Sequence, residues 1–145
     1  MINIQISYEE TPSLKIKNKF IQENIESIIL AEKKMPGDIS LIFCSDEYLL
    51  NINKQYLNHN YYTDIITFDY CENLVISGDL FISVDRVREN AGTYNVAFKN
   101  ELFRVIFHGI LHLLGYNDKT QEEKAEIRQK EEFYLAKIDL RGLEL

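Results

Sequence analysis

The chain predicts an α+β fold: a single domain with a roughly four-stranded mixed sheet flanked by helices, and a central buried helix carrying two histidines. Three observations predict it. Short β-branched runs alternate with longer stretches of helical periodicity, which is the signature of sheet and helix layers sharing one core. Two strand-like runs, residues 64–70 and 74–84, are separated only by Cys71-Glu72-Asn73, short enough for a hairpin. Residues 97–114 are apolar around almost the whole helical circumference, which marks a helix enclosed by its neighbours. The length, 145 residues, suits one domain over 1–145. A chain of that size buries roughly 68–70% of its unfolded surface, enough for a core without staples.

The elements follow in order. Residues 3–8 alternate, with Ile4 and Ile6 on one face, and predict a strand. Thr11-Pro12-Ser13 predicts a helix start, Thr11 as N-cap and Pro12 at the first helical position. Leu14, Ile16, Phe20, Ile21, Ile25, Ile28 and Ile29 form its apolar stripe to about Lys34, where Pro36-Gly37-Asp38 breaks it. Residues 39–44 predict a second strand. Ser45-Asp46-Glu47 caps a second helix that ends near Leu57. A polar and aromatic loop, residues 58–62, leads to the hairpin, whose second strand is interrupted by Gly78-Asp79. A short helix over 85–91 precedes the buried helix. Residues 120–137 predict a charged outer helix, with Thr120 and Glu123 as a capping box.

Composition narrows the function. The net charge of −7 argues against a generally basic nucleic-acid binder, so any contact with RNA must be local. No apolar run approaches the roughly 18 residues of a membrane span, and no membrane partner is expected. The start of the chain lacks the pattern of a signal peptide, which predicts a cytoplasmic protein. Cys44 and Cys71 are then expected to be reduced, small and buried.

The chemistry concentrates in HGILHLLGYND, residues 108–118. His108 and His112 are four apart and share one helix face. Gly115 suits the left-handed turn that ends such a helix, and that turn could bring Asp118 back under the two imidazoles. Two nitrogens and one carboxylate oxygen leave a fourth zinc position for water, the catalytic arrangement. The spacing HxxxHxxGxxD is that of the metzincin proteases, HExxHxxGxxH, with two exchanges. Gly109 stands where the proteases have their glutamate base, which argues strongly against a peptidase, and Asp118 stands where they have a third histidine.

The same stretch resembles the HGxLHLxGYDH motif of the YbeY family, metal-dependent endoribonucleases of ribosomal-RNA maturation. The likeness extends upstream. Leu50-Asn51 to Tyr56 and then Thr63-Asp64-Ile65-Ile66-Thr67-Phe68 resemble that family's LN…Y…TDVLSF segment. Ser77-Gly78-Asp79-Leu80-Phe81-Ile82-Ser83 resembles its GDIxIS strand. Two departures stand out: Asp118 occupies the third-histidine position, and Leu57 follows Tyr56 where the family commonly has an arginine. His59 and Lys54 are nearby substitutes for it, and the plain alternative for His59 is a solvated loop residue.

The resemblance implies a hydrolase, a zinc-dependent, single-strand-specific endoribonuclease acting in ribosomal-RNA processing and ribosome quality control. Its partners would be precursor ribosomal RNA and the ribosomal subunit or proteins associated with it. One Zn²⁺ would be held by His108, His112 and Asp118, with His108, His112 and Arg104 carrying catalysis. Arg104, four residues before His108, would contact phosphate or support a ligand; the plain alternative is an ion pair with Glu101. Asp64 or Asp79 could orient the water or a histidine, or could be strand-end residues only. Tyr61, Tyr62, Phe68 and Tyr116 are candidates for base stacking, and Arg86, Arg88 and Lys99 for phosphate contact. A different class of function fits the acidic charge as well: a non-catalytic ribosome-associated assembly factor whose metal is structural.

Overall fold

The structure, a computed structural model, describes residues 3–143 and 145. Along the chain run β1 (Asn3–Glu9), α1 (Asn18–Ala31), β2 (Met35–Cys44), α2 (Asp46–Leu57), β3 (Ile65–Asp69), β4 (Val75–Ser83), α3 (Val84–Tyr94), α4 (Phe98–Leu113) and α5 (Gln121–Leu135). The expected α+β fold with a four-stranded mixed sheet forms, in the order β1-β2-β4-β3. β2 lies parallel to both β1 and β4, and β3 closes one edge antiparallel to β4.

The pleat sorts side chains to two cores. Ile39, Leu41 and Phe43 of β2, with Ile76, Leu80 and Ile82 of β4, join the larger one, where α1 and α4 pack. Cys44, Leu49 and Ile66 form the smaller one, under α2 on the other face, with Phe68 and Phe81 against it. Of sixteen residues in α4, ten are buried, as its all-round apolar pattern predicts. Cys44 and Cys71 are both free thiols, Cys44 buried and Cys71 partly so. Among the described residues no helix is long and apolar enough to cross a membrane.

Three boundaries differ from those read in the sequence. The first helix begins at Asn18 instead of after Thr11, and its N-cap, Lys17, makes no side-chain cap. Leu14 and Ile16 are two apart; that is extended spacing, and Ile16 is buried while Lys15 and Lys17 are exposed. Pro36-Gly37 does not break the chain but starts β2, with a register shift between Pro36 and Ile39. Proline is tolerated there because a strand end and a bulge need no ladder donor. Gly78-Asp79 does not interrupt β4: both residues stay in register with Phe68 and Asp69 of β3.

Candidate metal centre

α4 ends in the turn that the glycine predicted. Gly115 has φ of 106°, its N–H donates to the His112 carbonyl, and the Tyr116 N–H donates to the Leu111 carbonyl. This pair of bonds closes the helix and reverses the chain. Asp118 consequently returns to the face that carries His108 and His112. Its Oδ2 lies 3.3 Å from Nε2 of each histidine, and the two Nε2 atoms are 3.1 Å apart.

That triangle fits a tetrahedral ion. An ion about 2.0–2.1 Å from each donor holds tetrahedral ligands ~3.3–3.4 Å apart. The protonation pattern agrees. His108 Nδ1 lies 2.6 Å from Glu131 Oε2, so Nδ1 carries the proton it donates and Nε2 presents a lone pair. In the neutral ring, Nε2 of His108 then joins His112 Nε2 and Asp118 Oδ2 as three donor atoms within reach of one cation. Among the described residues these three form the group that could hold a metal.

Glu131 is the residue that sequence reasoning missed. It sits on α5, its side chain 5% exposed, and accepts both from His108 and, at 3.1 Å, from Arg104. Such a carboxylate fixes the ring orientation of a ligand histidine and raises its basicity. Burial pushes the His108 imidazolium down, but the Glu131 carboxylate, with Asp118 and Asp64 farther off, more than offsets this and leaves its pKa raised. The helical spacing of Glu131 with Ile127 and Tyr134 marks the buried stripe of α5, but that spacing does not name the partner on α4.

Arg104 does not pair with Glu101. Its guanidinium reaches across to α5, 3.1 Å from Glu131 and 2.6 Å from Glu132. Asp64 ends the β3–β4 ladder, its carbonyl accepting from the Ser83 N–H. Burial raises its carboxyl pKa, and the His108 charge nearby pulls it partly back.

The centre lies where two grooves meet. One, of about 630 Å³, runs between α4 and α5, with Glu101, Arg104, Lys124 and Arg128 along it. The other, of about 390 Å³, is lined by Leu57, His59, Tyr61 and the start of β3. Asp64, Ile65, His108 and Asp118 belong to both. Of the proposed stacking residues only Tyr61 reaches a groove at the centre; Phe68 packs on Tyr56 and Phe81, Tyr62 bonds Glu47, and Tyr116 bonds Glu32. The proposed phosphate contacts lie elsewhere: Arg86 pairs with Asp46, Arg88 stacks on Phe98, and Lys99 donates to the Leu143 carbonyl. Asp79 and Lys54 line neither groove. Gly109 packs closely on the sheet: a Cβ there would come within 2.6 Å of Ile65 Cδ1 and Leu80 Cδ2, so both side chains would have to shift.

Sheet, helix and turn thus define a single-domain α+β protein in which three side chains that could hold a metal sit between two grooves. The family model for endoribonuclease YbeY matches residues 3–139. An endoribonuclease YbeY of Parabacteroides distasonis is 53% identical over 121 residues, covering 83% of this chain and 85% of that one. One of Phocaeicola vulgatus is 49% identical over 140 residues, covering 97% of this chain and all of its own length (100%). The solution structure of a Thermotoga maritima protein shares the fold, with a TM-score of 0.61 and 24% identity over 97% of this chain and 100% of that one. The chain belongs to the endoribonuclease YbeY family.

Proposed function

We propose that this chain is a zinc-dependent endoribonuclease that cleaves single-stranded RNA, acting on precursor ribosomal RNA at the ribosomal subunit, in the cytoplasm. The observation that carries the reading is the triangle of two Nε2 atoms and one Oδ2, 3.1–3.3 Å on a side, set at the junction of two grooves. A bound Zn²⁺ would supply a Lewis acid for a phosphoryl oxygen and bring the pKa of its water to about 7.

The chain's own residues do the rest. His108, His112 and Asp118 hold the ion. Glu131 fixes the His108 ring, and Arg104 holds Glu131, so Arg104 acts by positioning a ligand. Lys124 and Arg128 are the larger groove's basic side chains besides Arg104, set against the carboxylates of Asp64, Glu101, Asp118 and Glu131, and they are the residues there that phosphate would meet. Tyr61, exposed in the smaller groove, offers a face for one base. A structural ion would call for a closed, four-ligand site. Here the ligand side chains remain 25%, 28% and 42% exposed, which favours the catalytic reading over the assembly factor.

The test joins elemental analysis to RNA cleavage. Wild-type protein is expected to hold one zinc and to cut a single-stranded oligoribonucleotide. His112→Ala is expected to lose both, with its circular dichroism unchanged. Wild-type protein that cuts no RNA with zinc present, alone or with ribosomal subunits, would overturn the reading. Ribosome binding without cleavage would favour the assembly factor.

A further inference from the structure

The smaller groove holds the chain's third histidine. His59 lines it together with His108, His112 and Asp118, although it lies on the loop after α2. That loop is held on both sides of His59. Asn58, in the left-handed region at φ of 56°, caps α2. The His59 N–H donates to the Asn53 carbonyl at 3.1 Å. Asn53, buried in the middle of α2, donates from its side chain to the Tyr61 carbonyl at 2.9 Å. A buried amide whose hydrogen bonds go to a solvent-exposed loop fixes that loop's path.

The ring is held as well as the backbone. His59 stacks on Tyr61, centroids 5.1 Å apart and planes 22° apart. The Tyr61 hydroxyl lies 3.0 Å from His59 Nδ1. Nδ1 is thereby engaged, and Nε2 takes no hydrogen bond among the described residues. An imidazole oriented by a neighbour through one nitrogen, on a residue that lines the groove beside the candidate metal ligands, suits a general acid or base.

The remaining ionisable groups of the groove have other duties. His108, His112 and Asp118 face the ion, and Asp64, half-buried where the β3–β4 ladder ends, accepts from the Asn90 side chain. Tyr61 is occupied in holding His59. Resting on the ribonuclease reading above, we infer that His59 is a catalytic residue that protonates the leaving oxygen. A water oxygen bonds to phosphorus while the bond from phosphorus to the leaving ribose oxygen breaks. The leaving oxygen keeps that electron pair and takes the proton of His59 Nε2. The attacking water releases a proton to solvent, and solvent returns one to His59.

The test compares wild type, His59→Ala and His59→Phe on two oligoribonucleotides. One is ordinary RNA; in the other, sulfur replaces the bridging oxygen that product analysis identifies as the leaving atom. A thiolate leaves without a proton. On ordinary RNA both variants are expected to lose about 10²-fold or more in kcat, with KM little changed and zinc content intact. On the sulfur substrate the loss is expected to shrink to a few fold. A wild-type rate in His59→Ala overturns the inference while leaving the ribonuclease reading intact. A raised KM in His59→Ala that His59→Phe restores would make His59 a stacking platform. Loss of zinc would make it a ligand. Failure of the wild type to cut either RNA would count against the ribonuclease reading itself.

Discussion

Glu131 and His108 meet from helices that lie side by side, and the contact sets which histidine nitrogen is left for an ion. Replacing Glu131 by Gln keeps the shape but removes the charge. The amide oxygen still accepts from His108 Nδ1, more weakly, and its NH₂ confronts the Arg104 guanidinium. Zinc affinity is therefore expected to fall about 10–100-fold in Glu131→Gln, measured by competition with a chelator. Unchanged affinity would mean that the turn alone places the ligands. The three candidate ligands were legible in the sequence because they are local: i, i+4 and a glycine-ended turn. Glu131 was not, because its partner is 23 positions away and it stands among the many charges of α5. Arg104 was placed on the right helix face, but local spacing suggested Glu101, and the carboxylates that claim it come from α5.

At the level of elements, the sheet meets the metal helix at Gly78. A Cβ on this β4 residue would lie 2.4 Å from the Phe68 carbonyl oxygen of β3 and 2.9 Å from Leu113 Cδ2 at the end of α4. The first is backbone and cannot turn away. Gly78→Ala is expected to destabilise the fold by about 1–3 kcal/mol, because strand and helix must both shift. Urea denaturation with an unchanged midpoint would contradict it. Because His112 neighbours Leu113, zinc affinity should fall in parallel. Periodicity gave every helix and strand, and the errors lie where one period passes into another. The extended pair Leu14 and Ile16 runs into the stripe of α1 without a polar break. Pro36-Gly37 and Gly78 carry breaker residues, yet close backbone approach in the sheet is what they serve: a Cβ on Gly37 would meet Ser77 Oγ at 2.4 Å.

Across the whole molecule, one carboxylate joins α1 to the turn before Asp118 and to α5. Glu32, at the end of α1, accepts from Tyr116 Oη at 2.7 Å in the turn before Asp118, and from Tyr134 and Lys130 of α5. Lys130 Nζ lies 3.1 Å from it. Burial pushes the Glu32 carboxyl up, but the hydrogen bonds from Tyr134, Tyr116 and Lys130 and the ammonium charge outweigh it, and its pKa lies below the ordinary carboxylate range. The unfolded chain therefore binds this proton more readily than the folded one, and stability rises with pH across the window between the two values. The contribution is complete above the unfolded pKa, about 4.3, and is lost as pH falls through the lower folded value. Glu32→Gln removes the charge at every pH. At pH 7 it is expected to cost about 1–3 kcal/mol, the worth of hydrogen bonds to a charged acceptor left weaker. The gap to wild type should narrow as pH drops below about 4.3, where wild type loses the same charge. Thermal unfolding of both proteins across pH 3–7 measures this, taken on metal-free samples so that zinc release does not enter. A gap that stays constant down the acid range would show that Glu32 ties α1, the turn and α5 together by shape rather than by charge.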